Sequence, residues 1–147
     1  MTSATLNKFG YPDTLVGESA HWSVLVRPEQ PTLGSLVLIC REPVTAFGEV
    51  SPAAFADMGA MVARIEAMLR DFVLYDKINY LMLMMMDPDV HFHVIPRYEG
   101  ERSRVGLTVA DAGWPGAPAL QQAVRPDAAG LRQLVEELRT RWVGLPA

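Results

Sequence analysis

The sequence predicts an α+β domain, an antiparallel sheet with one long helix and a C-terminal helix. Three observations carry this. Two strand-like segments precede residue 41, a long amphipathic stretch starts near Ser51, and two further strand-like segments precede a second amphipathic stretch near the end. A chain of 147 residues fits one domain, 1–147. Half of its residues are apolar and 20% are charged, the balance of a globular protein.

In chain order, residues 1–20 are polar and broken by Gly10, Pro12 and Gly17, so they read as an irregular arm. "HWSVLVRP" alternates: Trp22, Val24 and Val26 fall on one face, His21, Ser23, Leu25 and Arg27 on the other. "GSLVLIC" is apolar without alternation, the pattern of a central strand covered on both faces. Ser51 is a helix N-cap and Pro52 stands at the first helical position, where its missing N–H costs nothing. Phe55, Met58, Val62, Ile65, Leu69 and Phe72 then form one buried stripe. "KINYLMLMMM" reads as a strand whose methionines fill core, with Asp87-Pro88 as a tight link to the next strand. Residues 99–126, rich in Gly, Pro and Ala, read as a long surface loop with one short strand near Val105 to Val109. A C-terminal helix over about 127–143 follows, capped by Asp127 and burying Leu131, Leu134, Val135, Leu138 and Trp142.

Charge and apolar runs exclude several partner classes. The net charge is −4 and no Lys/Arg cluster exists, so no nucleic-acid partner is expected. The longest apolar stretch, "YLMLMMM", is far below the ~20 residues of a membrane span. One cysteine, Cys40, allows no internal disulfide, and no leader-like segment opens the sequence, so the expected location is cytoplasmic.

"DPDVHFHVIPRY" holds the densest chemistry. Alternate side chains of a strand share a face, so Asp89, His91 and His93 form a row while Val90, Phe92 and Val94 point to the core. Spacing leaves three readings open: a wet strand face, a divalent-metal ligand set of Asp89, His91 and His93, or imidazole catalysis. Asn79, on the neighbouring strand, is either a ligand contact or an edge polar group. Trp114 in "GWPGAP" either stacks on a base or anchors its loop.

"DVHFHVIPR" resembles the signature strand of the histidine triad (HIT) superfamily, with His91 at the middle histidine, His93 at the last and Pro96-Arg97 after them. "VLVRPEQPTLGSLVLICREP" resembles that family's upstream strands and turn, and the likeness spans Ser19 to Tyr98, about half of the chain. The resemblance implies a nucleotide hydrolase or transferase. His91 would attack an α-phosphorus to form a nucleotidyl-histidine, His93 would bind phosphate oxygens, and substrates would be dinucleoside polyphosphates or nucleoside phosphoramidates. It implies a homodimer with a continuous sheet, and no cofactor. Asp89 replaces the first histidine and would orient His91 through its carboxylate. Ser35 stands where a leaving-group histidine is usual, and Arg27 stands near a usual ribose ligand, where its guanidinium suits phosphate. Arg97, Asn79 and Trp114 complete the expected substrate contacts. A slow or narrowed enzyme is compatible with these departures, as are a non-catalytic nucleotide-binding protein and a metal-binding hydrolase.

Overall fold

A computed structural model describes residues 3–146. Strands β1 (Leu15–Glu18), β2 (Trp22–Val26), β3 (Leu36–Cys40), β4 (Lys77–Leu81) and β5 (His91–Arg97) form one sheet in the order β1-β2-β3-β5-β4, every neighbouring pair antiparallel. β3 is central and buried along its length, as its unbroken apolar run predicts. The alternation of β2 sorts its side chains between two cores. Trp22, Val24 and Val26 join the larger one, and Leu25 joins Val37 and Ile39 on the opposite face.

The larger core is covered by the long helix α2 (Pro52–Val73) and the last helix α3 (Ala128–Val143), preceded in chain order by the short helix α1 (Ala4–Lys8). Ser51 caps α2 as its sequence predicts, its Oγ accepting from Ala54 N at 3.1 Å. The stripe faces the core as expected from Met58 to Phe72, with Ile65, Leu69 and Phe72 buried and Met58 and Val62 packed against it; Ala54, Met61, Met68 and Val73 widen it, and only Phe55 departs. The reason is Trp22, whose indole donates to Ala54 O at 2.8 Å. That contact turns Phe55 outward, to pack beside Phe47 with ring centroids 5.4 Å apart. In α3 the side chain of Asp127 caps Gly130 N at 2.7 Å, and Trp142 packs over Gly17. A Cβ at Gly17 would lie 2.2 Å from the indole nitrogen, so β1 can meet α3 only through glycine. Arg139 of α3 also donates to the carbonyls of Pro12 and Leu15.

Three sequence expectations change. The arm 1–20 is not irregular: α1 and β1 form within it, and Leu6 and Phe9 cover the second face of the sheet. Apolar contacts with the sheet supply the order that local propensity lacks. α1 therefore lies on the face of the sheet opposite α2 and α3. Residues 99–126 carry a hairpin, β6 (Glu101–Arg104) and β7 (Leu107–Ala110), rather than one strand. Its turn places Val105 and Gly106 at φ 48° and 77°, and a valine there hides the usual Asn-Gly or Asp-Gly turn signal. Finally, β4 stops at Leu81, and Met82–Val90 form a loop rather than a tight link. β4 and β5 still pair antiparallel. No helix among the described residues is long and apolar enough to cross a membrane.

Candidate active site

Pairing fixes where the histidines point. His91 lies opposite Ile39 and His93 opposite Val37, so both imidazoles share the face of the smaller core. The N-terminal arm stops short of covering them and leaves a cleft of about 430 Å³. Its floor is His91, His93 and Arg27, and its rim runs from Phe9 and Lys8 to residues 83–87, where Asp87 pairs with Lys8. The Phe9 ring lies 6.3 Å from that of His91 and 6.0 Å from that of His93, and the two imidazoles meet edge to face at 5.2 Å.

His91 Nδ1 lies 2.7 Å from the backbone carbonyl of Asp89. An acceptor there fixes the proton on Nδ1 and leaves the Nε2 lone pair free. His93 Nδ1 and Arg27 Nε are buried side-chain nitrogens with no hydrogen-bond partner among the described residues. Both belong to this floor. Burial, helped by the neighbouring Arg27 charge, pushes His93 down to about 4, so its ring is neutral at physiological pH. Burial also lowers Arg27, against the pull of Glu29. Its Nη1 donates to the Glu29 carbonyl at 2.9 Å.

The structure breaks the expected row at Asp89. β5 begins at His91, so period-two alternation does not extend back to residue 89. The Asp89 carboxylate turns toward the arm and accepts from Thr5 N at 3.1 Å, while Asp89 N donates to Thr5 Oγ1 at 3.1 Å. It lines a separate hollow with Cys40 and Arg41. Burial raises its carboxyl, but bonds from Thr5 and Ser3 outweigh that and hold it below the usual carboxylate range. The main chain of Asp89, not its carboxylate, therefore touches His91. A metal held by Asp89, His91 and His93 has no geometric support, since the carboxylate faces away from the rings. Among the described residues no group of three His, Cys, Asp or Glu side chains is placed to hold a metal ion.

Four other expected contacts lie outside the cleft. Ser35 is fully buried in a turn, its Oγ donating to Thr32 O at 2.7 Å. Arg97 is buried and grips Asp111 through Nε and Nη2 at 2.7 and 3.1 Å, with Nη1 on Asn79 Oδ1 at 2.7 Å. Asn79 is thus the partner of Arg97, and Trp114 follows Asp111 in the same loop without lining the cleft. From that loop Leu120 and Arg125 line it instead, held by paired backbone bonds between Val124 and Gln30. Phe9, Lys8, Arg125 and the methionine wall were invisible in sequence. Their proximity depends on contacts across long chain separations, and "LMLMMM" has the composition of buried strand.

Comparison with known proteins places this geometry. A family model described as the HIT domain matches residues 9–100, more than half of the chain. A histidine triad protein from Marinobacter aquaeolei VT8 shares the fold at TM-score 0.73, with 22% identity over 99% of this chain and 98% of that chain. A histidine triad (HIT) protein from Sinorhizobium meliloti 1021 does so at TM-score 0.73, with 20% identity over 96% of each chain. A hypothetical histidine triad nucleotide-binding protein from Sulfolobus tokodaii strain7 is similar at TM-score 0.69, with 16% identity over 90% of this chain and 85% of that one. No curated protein sequence matches. The family match spans every strand of the main sheet and the histidine pair that β5 carries, and by it this chain belongs to the HIT domain family.

Proposed function

We propose that the protein is a nucleotide hydrolase or transferase that uses His91 as its nucleophile. The carrying observation is one cleft lined by an imidazole with a fixed Nδ1 proton, a second imidazole and an arginine that forms no ion pair among the described residues, His91, His93 and Arg27. Both residues line the cleft, so their other nitrogens are the ones set to meet a ligand's oxygens, while the unpartnered atoms themselves are closed off. A phosphate supplies such oxygens, and about 430 Å³ suits a small molecule. The relative from Sulfolobus tokodaii is described as nucleotide-binding, and the same ligand class fits this cleft.

In the proposed reaction the Nε2 lone pair of His91 attacks the α-phosphorus, and the bond to the leaving group breaks with its electron pair. That group takes a proton from water, because Ser35 is enclosed in its turn. Arg27 and His93 stabilise the oxygens as charge redistributes. Water then attacks the nucleotidyl-histidine, releases the nucleoside monophosphate and returns the imidazole neutral. Dinucleoside polyphosphates and nucleoside phosphoramidates are the substrate types this chemistry admits.

A two-fold homodimer is part of the proposal, since β1 and β4 are outer strands and strand edges need covering. The buried free Cys40 accords with the cytosol. His91→Ala is expected to lower turnover of an adenosine phosphoramidate by about 10³-fold or more, and a neutral-pH quench should trap a nucleotidyl group on His91 in the parent protein. Retention of turnover by the variant would remove His91 from this role. Placement of Ser35 and Asp89 outside the cleft favours a second reading, nucleotide binding without turnover. Calorimetric binding of AMP with no hydrolysis of any phosphoramidate would select it.

A further inference from the structure

The wall formed by Leu83 to Met86 is chemically unlike the floor beside it. Met85 and Met86 are each 84% exposed and Leu83 is 49% exposed, yet all three line the cleft with Met84. Phe9 and Leu120 add apolar surface around the same space. Contiguous exposed apolar surface next to a polar site marks recognition, and unbranched thioethers adapt to varied apolar shapes. The charges of the cleft narrow what binds. Lys8 pairs with Asp87 at 2.9 Å and Arg125 with Glu29 at 2.8 Å. Arg27 forms no ion pair among the described residues and leaves its Nε unpartnered. The cleft therefore offers Arg27 and the two imidazoles for one phosphate, and an apolar wall beyond them.

From this juxtaposition we infer that Leu83, Met84, Met85 and Met86 seat an apolar leaving group. The preferred substrates are nucleoside phosphate esters or amides of an apolar alcohol or amine. This rests on the reading of His91 as nucleophile, and it decides between the two substrate types that reading admits. A polyphosphate leaving group would set several negative charges against thioethers that cannot solvate them, beside Lys8 and Arg125 that already share carboxylate partners. An alkyl or aryl group meets only surface that water solvates poorly. In the reaction the P–N or P–O bond breaks, the amine or alcohol leaves with the electron pair and takes its proton from water.

The test is a series of AMP amides of straight-chain amines, ethyl to octyl, whose leaving groups have nearly the same basicity. kcat/KM is expected to rise about two- to threefold per methylene, below the roughly fourfold ceiling of full burial. Diadenosine tetraphosphate should fall below the octyl amide. The double variant Met85→Ser, Met86→Ser should flatten the octyl-to-ethyl ratio toward one, a ratio from which any loss of folded protein cancels. Val143→Ser, equally solvent-facing on α3, should leave that ratio unchanged. A flat series in the parent protein, or a slope that survives the double variant, overturns the inference. So does a preference for diadenosine tetraphosphate. If the double variant splits an oligomer in size-exclusion chromatography and keeps the slope, the wall is a contact between copies instead. Calorimetric Kd values for the same amides separate the two proposals. A chain-length slope in binding without turnover keeps the apolar wall and removes the nucleophile, whereas turnover with a flat slope does the reverse.

Discussion

At the N-terminal end of β5, His93 buries a nitrogen with no partner and His91 keeps one nitrogen free. At the C-terminal end, four residues after His93, Arg97 commits all three of its guanidinium nitrogens to Asp111 and Asn79. Both ends belong to the same signature, and both are buried. What separates them is whether the protein itself satisfies the polar atoms. The closed end ties β5 to β4 and to the loop after β7, while the other end borders the cleft. Two arginines show the same division. Arg97 sits in a paired network and Arg27 leaves its Nε without a partner among the described residues, although the sequence proposes both for the substrate.

The sharpest way to break this comparison is to remove each arginine in turn. Arg97→Ala leaves Asp111 buried and unpaired, so it is expected to cost about 3–5 kcal/mol in denaturant unfolding. Arg27→Ala should leave unfolding nearly unchanged and weaken AMP binding about 10- to 100-fold in calorimetry. If Arg27→Ala unfolds the protein and binding is unaffected, the two ends do not differ in kind.

A smaller effect concerns His93. Its ordinary value is 6.5 and burial holds it at about 4, so between these values the unfolded chain takes up a proton that the folded chain refuses. Stability should therefore fall as pH drops through that window. His93→Gln should remove part of the fall in the denaturation midpoint measured from pH 7 to pH 4. An unaltered pH profile in the variant would show that other groups carry it.

The smallest effect belongs to Asp89. Asp89→Ala frees Thr5 N and should raise hydrogen exchange over residues 4–9, at a cost of about 1 kcal/mol. Asp89→Asn keeps an acceptor oxygen and should hold the arm. Both variants retain the carbonyl that orients His91. If both lose turnover equally while the arm stays protected, the charge acts on the histidine and the latch is incidental.

Much of the scaffold was readable because it rests on short-range rules. Ser51 and Pro52 announce α2, Asp127 announces α3, and alternation puts His91 and His93 on one face. The site was readable only as far as β5 itself. Asp89 failed because one bend ahead of the strand resets the side-chain direction. Ser35 and Asn79 failed because their partners, Thr32 and Arg97, already satisfy them. Phe9 is placed by apolar contacts with Leu25, Val37 and Ile39, which no local pattern records. The methionines inverted the usual rule, since an apolar run signals burial unless a ligand is what buries it.

The glycine-to-tryptophan contact between β1 and α3 bears on when the cleft comes into being. Trp142 and Arg139 clamp the segment from Pro12 to Gly17, and Thr14 in turn holds the Phe9 carbonyl at 2.6 Å. The arm that walls in the histidines is thus fastened by a helix that follows β5 in the chain. During synthesis β5 is complete while α3 is still unmade, and a chain lacking α3 has the histidines without their fastened wall. The walled cleft would then form only once α3 has been made.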